Sequence, residues 1–249
     1  MKKILSLSLC AILSIVLLTG CVSLNFAAPG IGPSVTGRGS METFVYSVGE
    51  ITEVRVEMLS NIVLYSVPSN TVTFEFQPNL KDYIIVEESE GILTVRSTRN
   101  INVSGTGNIP VLTISTPSLS RLTHAGAGRF TAVDPIVGDD FSLEILGAAD
   151  GYAQLNVQNL NLSIAGASNF ELSGIAVNTD ISMAGASNLE ALELATHTTT
   201  INMAGVGNVR ISCSDSLIIN AGGAGIVEYR GNPSVDITRG GLVSVRQVN

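Results

Sequence analysis

The sequence predicts an all-β fold, a solenoid in which short strands stack in repeats of about 20 residues. One motif, Ala-Gly followed by two small residues, recurs through the second half of the chain. Hydrophobic and polar residues alternate on both sides of each copy. Hydrophobic residues make up 45% of the 249 residues and charged residues only 14%, which favours a packed core over disorder.

The motif glycines mark the register of the repeats. Consecutive marks are separated by 21, 19, 19, 20 and 18 residues. A glycine at the same place in every copy indicates a corner that needs either a positive φ or a close approach to the neighbouring chain. The six marks are Gly126, Gly147, Gly166, Gly185, Gly205 and Gly223.

A large aliphatic residue stands four positions before every mark, and polar residues separate it from the next inward position. This period of two indicates a β-strand with one buried face. The alternation resumes after the glycine, so a second strand follows the corner, and the remaining residues suffice for a turn and a third short strand. We predict that the six aliphatic side chains form an interior ladder: Leu122, Leu143, Leu162, Ile181, Ile201 and Ile219.

Asn169, Asn188 and Asn208 occupy one register position in three successive copies. Stacked strands favour ladders in which each amide bonds to the next repeat, and we expect such a structural ladder here. The alternative is a row of amide donors that binds a ligand.

Residues 41–117 also alternate but lack the motif, so they form either less regular first repeats or a capping sheet. We place one domain at residues 41–249, with the regular repeats at 118–249. Residues 234–249 are expected to cover the far end, because an open terminal strand invites aggregation. A β-sandwich or a meandering barrel of hairpins is the alternative, since hairpins also give regularly spaced short strands.

Residues 1–20 have the pattern of an export signal, with Lys2 and Lys3 ahead of an apolar stretch too short to span a membrane comfortably. The stretch ends in Leu18-Thr19-Gly20-Cys21, which resembles the lipobox of bacterial lipoproteins. That resemblance implies that the Cys21 thiol carries diacylglycerol and anchors the chain to a membrane on the extracytoplasmic side of the cell envelope. An ordinary signal peptide is the alternative.

Residues 21–40 are rich in Gly, Pro and Ser and predict a flexible tether. The formal net charge is −8, and Lys81 is the only lysine beyond the signal. Nucleic acid is therefore not an expected partner, because binding it requires clustered lysine and arginine. Cys213 is the only cysteine beyond Cys21, so the mature chain cannot form an intrachain disulfide.

Residues suited to catalysis or metal binding are few, and we predict no catalytic residue, no metal site and no cofactor. His124 is expected at the end of the stack, and His197 in an exposed turn several repeats away, so a shared metal is not expected. The acidic candidates for a glycan-cleaving site are Asp134, Asp139, Asp140 and Asp150. Asp139-Asp140 follows Gly138 and is better explained as a solvated loop between repeats than as a calcium site.

The stretch from Ser40 to Asn249 resembles the bacterial family called putative auto-transporter adhesin, head GIN domain. The likeness lies in the alternating first strands, Pro117-Ser118-Leu119, the Ala-Gly copies that begin at Ala125-Gly126-Ala127-Gly128, and the closing Tyr229-Arg230-Gly231-Asn232-Pro233. The resemblance implies a single-stranded right-handed β-helix on a cell-envelope protein. It supplies no catalytic residues.

Together these features predict a lipid-anchored, non-enzymatic protein of the cell envelope that presents its outer strand faces to an unknown protein or glycan ligand, in adhesion or scaffolding. Two alternatives stay open. One is a polysaccharide-active enzyme on a β-helix scaffold, and the other is a component of the envelope-stress response.

Overall fold

A computed structural model describes residues 34–102 and 108–249. The predicted signal peptide, Cys21 and most of the predicted tether lie outside the described residues. Within them the fold is all-β, as predicted, with one 3-10 helix, Pro78–Tyr83. The strands are β1 Val35–Thr36, β2 Glu42–Tyr46, β3 Glu53–Glu57, β4 Asn61–Tyr65, β5 Thr71–Phe76, β6 Ile84–Ser89, β7 Ile92–Ser97, β8 Ile101–Asn102, β9 Val111–Ser115, β10 Arg121–His124, β11 Ala127–Ala132, β12 Ile136–Arg230 and β13 Ser234–Gln247.

Parallel pairing organises the repeat region. Leu122 of β10 lies opposite Leu143 of β12, and Ala127 of β11 lies opposite Ala148. At the other side of β12, Ser216 lies opposite Ser234 of β13. These partners are 21, 21 and 18 residues apart in sequence. Hairpins pair antiparallel, so the hairpin arrangement does not describe these strands.

Glycine corners set the contacts between neighbouring repeats within the 95 residues of β12. A Cβ atom added to Gly147 would overlap the carbonyl oxygen of Gly126. The same overlap recurs for Gly166 on Gly147, Gly185 on Gly166, Gly205 on Gly185 and Gly223 on Gly205. Each marked glycine thus packs directly on the marked glycine of the preceding repeat. Gly185 also has a φ of 110°, a conformation that residues with a side chain rarely adopt.

Strands of the N-terminal part add two further layers below the first marked repeat. β3 pairs in parallel with β10 on one edge and with β7 on the other. In the same way β4 lies between β11 and β9. The layer of β7 and β9 therefore lies beneath the layer of β3 and β4, although it follows that layer in sequence.

The end of the stack nearest the N-terminus is covered, and we call it the capped end. β5 pairs antiparallel with β9, and β6 pairs antiparallel with β7, with the 3-10 helix between them. The side chains of Phe74, Phe76 and Leu80 are fully buried here, and the Phe44 ring stacks on Phe76 with its centroid 4.4 Å away. Residues 41–117 thus form both irregular repeats and a capping sheet.

The opposite end is open. Instead of folding over it, Ser234–Gln247 adds one more parallel repeat, and the second edge of β13 has no strand partner among the described residues. Ile237 is 36% exposed and Leu242 is 84% exposed. Arg239 takes the register position of the buried Ala221. A charge at such an inward position discourages strand addition.

The hydrophobic core is one cluster that follows the interior of the stack. The six aliphatic residues that we predicted as a ladder are all at most 1% exposed. Burying each side chain contributes about 1.5–3 kcal/mol. Gly151 interrupts a second inward row, and a Cβ atom there would overlap the Phe170 ring. The Phe170 ring therefore fills the space that Gly151 leaves.

We expect Gly185→Ala to lower the free energy of unfolding by about 2–4 kcal/mol, because the new methyl group meets the Gly166 carbonyl and the φ is unfavourable. Chemical denaturation measures the loss. Gly240→Ala is the matched control, since nothing lies within 4 Å of a Cβ atom there. A change within about 0.5 kcal/mol is expected for the control. Equal effects of the two variants would contradict glycine stacking.

Candidate functional site

Among the four acidic candidates for catalysis, two bond to neighbouring repeats, one faces solvent and one has a buried carboxylate oxygen. Asp140 Oδ1 accepts a 2.8 Å hydrogen bond from Asn159 Nδ2. Asp150 Oδ1 accepts 3.0 Å hydrogen bonds from the backbone N–H and the side-chain Nδ2 of Asn169. Asp139 is exposed, and one oxygen of Asp134 is buried without a hydrogen-bond partner. In the described part of the chain, no three His, Cys, Asp or Glu residues come together as metal ligands.

His124 does not lie at the end of the stack, so that expectation is wrong. Its strand has a partner on both edges, with Val56 on one side and Ile145 on the other. The ring is fully buried, Nε2 lies 3.4 Å from the Met58 carbonyl oxygen, and Nδ1 has no partner. Burial lowers the pKa of His124, so the ring is neutral at pH 7.

His197 and Cys213 lie close to each other in two successive repeats. His197 is exposed, with Nδ1 3.2 Å from Asp215 Oδ2. Cys213 is buried, and its Sγ lies 3.2 Å from the carbonyl oxygens of His197 and Ser216. The thiol is thus buried against two backbone carbonyl groups.

The three asparagines at one register position form a hydrogen-bonded row, which we call the asparagine ladder. Asn188 Nδ2 donates to Asn169 Oδ1 at 2.9 Å, and Asn208 Nδ2 donates to Asn188 Oδ1 at 3.0 Å. The Asp150 carboxylate ends the row beyond Asn169. These amides spend their hydrogen bonds on each other, which favours the structural interpretation over ligand binding.

A second row of this kind was missed by sequence reasoning, and we call it the polar ladder. Asn159 Nδ2 donates to Asp140 Oδ1 at 2.8 Å, and Asn178 Nδ2 donates to Asn159 Oδ1 at 2.9 Å. Thr198 Oγ1 continues the row with a 2.8 Å bond to Asn178 Oδ1. Spacings of 19, 19 and 20 residues are the signal that could have revealed it.

The polar ladder forms one wall of an open groove of about 710 Å³, which we call the polar groove. The opposite wall consists of Arg121, Ser142, Asn161, Asp180 and Thr200, one residue from each of five successive repeats. Between the walls the floor contains Phe141 and Leu160, which are only 2% and 3% exposed. The groove therefore presents mainly polar side chains.

A row of alternating charge crosses successive repeats of β12 and ends in β13. Arg210 lies between Glu190 and Glu228, with contacts of 2.6 and 2.7 Å, and Arg246 also contacts Glu228. Hydrogen bonds from Arg246 and Arg210 lower the pKa of Glu228, and those to Glu190 and Glu228 raise the pKa of Arg210. The charges neutralise one another along the row, which suits a structural role.

The order of these elements along the chain agrees with a known family. The family described as putative auto-transporter adhesin, head GIN domain, matches residues 50–233. The chain belongs to this family. No helix in the described residues of this head GIN domain protein is long and apolar enough to cross a membrane.

Solved structures share the fold of this head GIN domain chain. A putative adhesin from Bacteroides fragilis has a TM-score of 0.79 at 20% identity, covering 86% of this chain and 100% of its own. A putative adhesin from Parabacteroides merdae has a TM-score of 0.64 at 18% identity, with coverage of 88% and 100%. A putative lipid binding protein from Parabacteroides distasonis has a TM-score of 0.66 at 16% identity, with coverage of 87% and 100%. No curated protein matches the chain.

The buried, neutral His124 makes stability pH-dependent. Its pKa is lowered in the folded state, so below about pH 6.5 the unfolded state binds more protons and stability falls as the pH falls. We expect His124→Leu to remove this loss, so its stability relative to wild type increases as the pH is lowered from 7.5 to 5. Denaturant titrations at each pH measure the difference. Ile145→Leu, at the adjacent interior position, should keep the wild-type slope, and a parallel slope for His124→Leu would contradict the assignment.

Proposed function

We propose that this chain is a lipid-anchored, non-enzymatic protein of the cell envelope that binds a partner through its outer strand faces, in adhesion or scaffolding. The observation that carries the proposal is the polar groove across five stacked repeats. Family membership supports an adhesin-like role at the cell surface or envelope. The names of the structural relatives, putative adhesins and a putative lipid binding protein, point to binding as well.

The repeats, in this proposal, wind as a single-stranded right-handed β-helix. Parallel partners 18 to 21 residues apart are what consecutive coils of one chain give. Connections between parallel strands of one sheet are right-handed in almost every known protein, which supports the proposed hand.

The proposed anchor is the lipid on Cys21. The first described residue precedes β1. β1 pairs with β8 (Ile101–Asn102), and β8 follows β7 of the lowest layer in sequence. Thirteen residues separate Cys21 from residue 34, enough to extend about 45 Å. The capped end would then face the membrane, and the open end and the polar groove would be accessible from outside.

The absence of catalysis is supported by the bonding of the chemically reactive groups. Asp140, Asp150 and Cys213 are engaged with neighbouring repeats or backbone carbonyls, and His124 is buried. A general acid or base must reach a substrate proton directly or through one water. A turnover screen on polysaccharides would overturn this part of the proposal if it released products that Asp140→Asn and Asp180→Asn abolish.

We expect the full-length chain, expressed in a bacterial host, to incorporate radiolabelled palmitate and to partition into detergent, whereas Cys21→Ser should do neither. Cys213→Ser is the matched control, because it removes the other mature cysteine and should leave the lipid in place.

Cells displaying the wild type should be retained on surfaces coated with matrix proteins or envelope glycans. An unlabelled wild type would refute the anchor, and no retention on any coating would refute adhesion.

A further inference from the structure

Building on the binding role proposed above, we propose that the polar groove binds a neutral linear glycan that lies along the stacking direction. The groove contains none of the six aliphatic ladder residues, and its buried floor includes Phe141 and Leu160. Its two polar walls offer a hydrogen-bonding pattern that repeats from one layer of the stack to the next.

The walls of the groove differ in how far their hydrogen-bonding capacity is already used. Asn159 and Asn178 of the polar ladder are bonded along the row. On the opposite wall, Asn161, Asp180 and Thr200 make no side-chain hydrogen bond to the described part of the chain. These three side chains present an amide, a carboxylate and a hydroxyl at equivalent places of successive repeats. Together they offer both donors and acceptors, as sugar hydroxyls require.

The spacing of these groups selects an extended glycan. Neighbouring strands lie about 4.8 Å apart, so the five repeats that line the groove span roughly 19 Å. A β-1,4-linked pyranose in an extended chain advances by slightly more than one strand spacing per sugar, so over four sugars the two repeats stay nearly in step. Successive sugars can therefore meet equivalent side chains on successive repeats, and about four sugars fill the groove.

Other linear polymers fit the groove less well. A peptide that adds a strand needs unpaired backbone groups, but the strands of the inner repeats are paired along both edges. An extended peptide also advances about 6.6 Å for each pair of residues, out of step with the repeats. The carboxylates of Asp140 and Asp180 repel nucleic acids and acidic glycans. Arg121 is the only basic residue among the described residues that line the groove, so it does not balance both negative charges.

The floor of the groove predicts weak binding by a single copy. Phe141 is 2% exposed, so its ring offers no face on which a sugar could stack. Recognition then depends on hydrogen bonds that replace those to water, and each increases the affinity only about two- to tenfold. Many copies on one membrane would compensate through multivalency, as attachment to a surface requires.

The test uses the mature chain and β-1,4-linked glucose oligomers of two to six units, with binding followed by isothermal titration calorimetry and NMR. Affinity should increase up to about four sugars and then level off. Asn161→Ala and Asp180→Ala should each weaken hexamer binding about two- to tenfold, as the loss of one such hydrogen bond predicts. The matched control is Asn156→Ala, an exposed asparagine of the same repeat that makes no side-chain hydrogen bond and lies outside the groove. Unchanged thermal unfolding shows that all three variants fold.

Three results would overturn the groove assignment. The first is that neither the glucose hexamer nor matched hexamers of xylose and N-acetylglucosamine bind saturably. The second is that Asn156→Ala and Asn161→Ala lose equal affinity for the hexamer. The third is that polygalacturonate binds more tightly than the neutral oligomers. Retention of displaying cells separates this inference from the broader proposal. If Asn161→Ala cells still adhere like wild type, the groove assignment fails while adhesion stands.

Discussion

Direct contact between glycines of successive repeats is the constraint on which the rest of this structure depends. Gly166 packs on the carbonyl of Gly147, and Gly185 packs on Gly166, with no space for a side chain between them. A corner that admits only glycine fixes which residue of one repeat lies above which residue of the next. The aliphatic ladder, the asparagine ladder and the polar ladder all follow from that register, because equivalent positions are then brought within bonding distance.

The same constraint determines which chemistry the surface can offer. Backbone groups of the inner repeats are consumed by pairing, so side chains alone face a partner. Where a row bonds to itself, as Asn169, Asn188 and Asn208 do, it stiffens the stack. Where a row does not, as along Asn161, Asp180 and Thr200, its groups remain available to a ligand. Rows that bond to themselves and rows whose polar groups are free therefore lie side by side on one scaffold.

Local sequence pattern predicted the strand content, the glycine register and the buried faces, because each depends on period-two alternation and equal spacing. It could not predict the order of the lower layers, since residues 92–96 and 111–115 pair beneath residues 53–57 and 61–65 without any shared motif. The pairing of β10 with β3, residues 121–124 with 53–56, is also non-local, and it places a strand beneath His124, which therefore lies inside the stack. The polar ladder was not predicted because it lies outside the glycine motif, in a part of the repeats where no sequence motif is shared.

Deleting one complete repeat tests the glycine register most directly. Removing residues 167–185 joins Gly166 to Ala186 and restores Gly-Ala-Ser-Asn at the seam. Since each repeat contacts only its neighbours, the shortened chain should keep the strand signal per residue in circular dichroism and should unfold cooperatively. Removing residues 167–176 shifts the register and should abolish folding. Loss of structure in both variants, or its retention in both, would contradict the account.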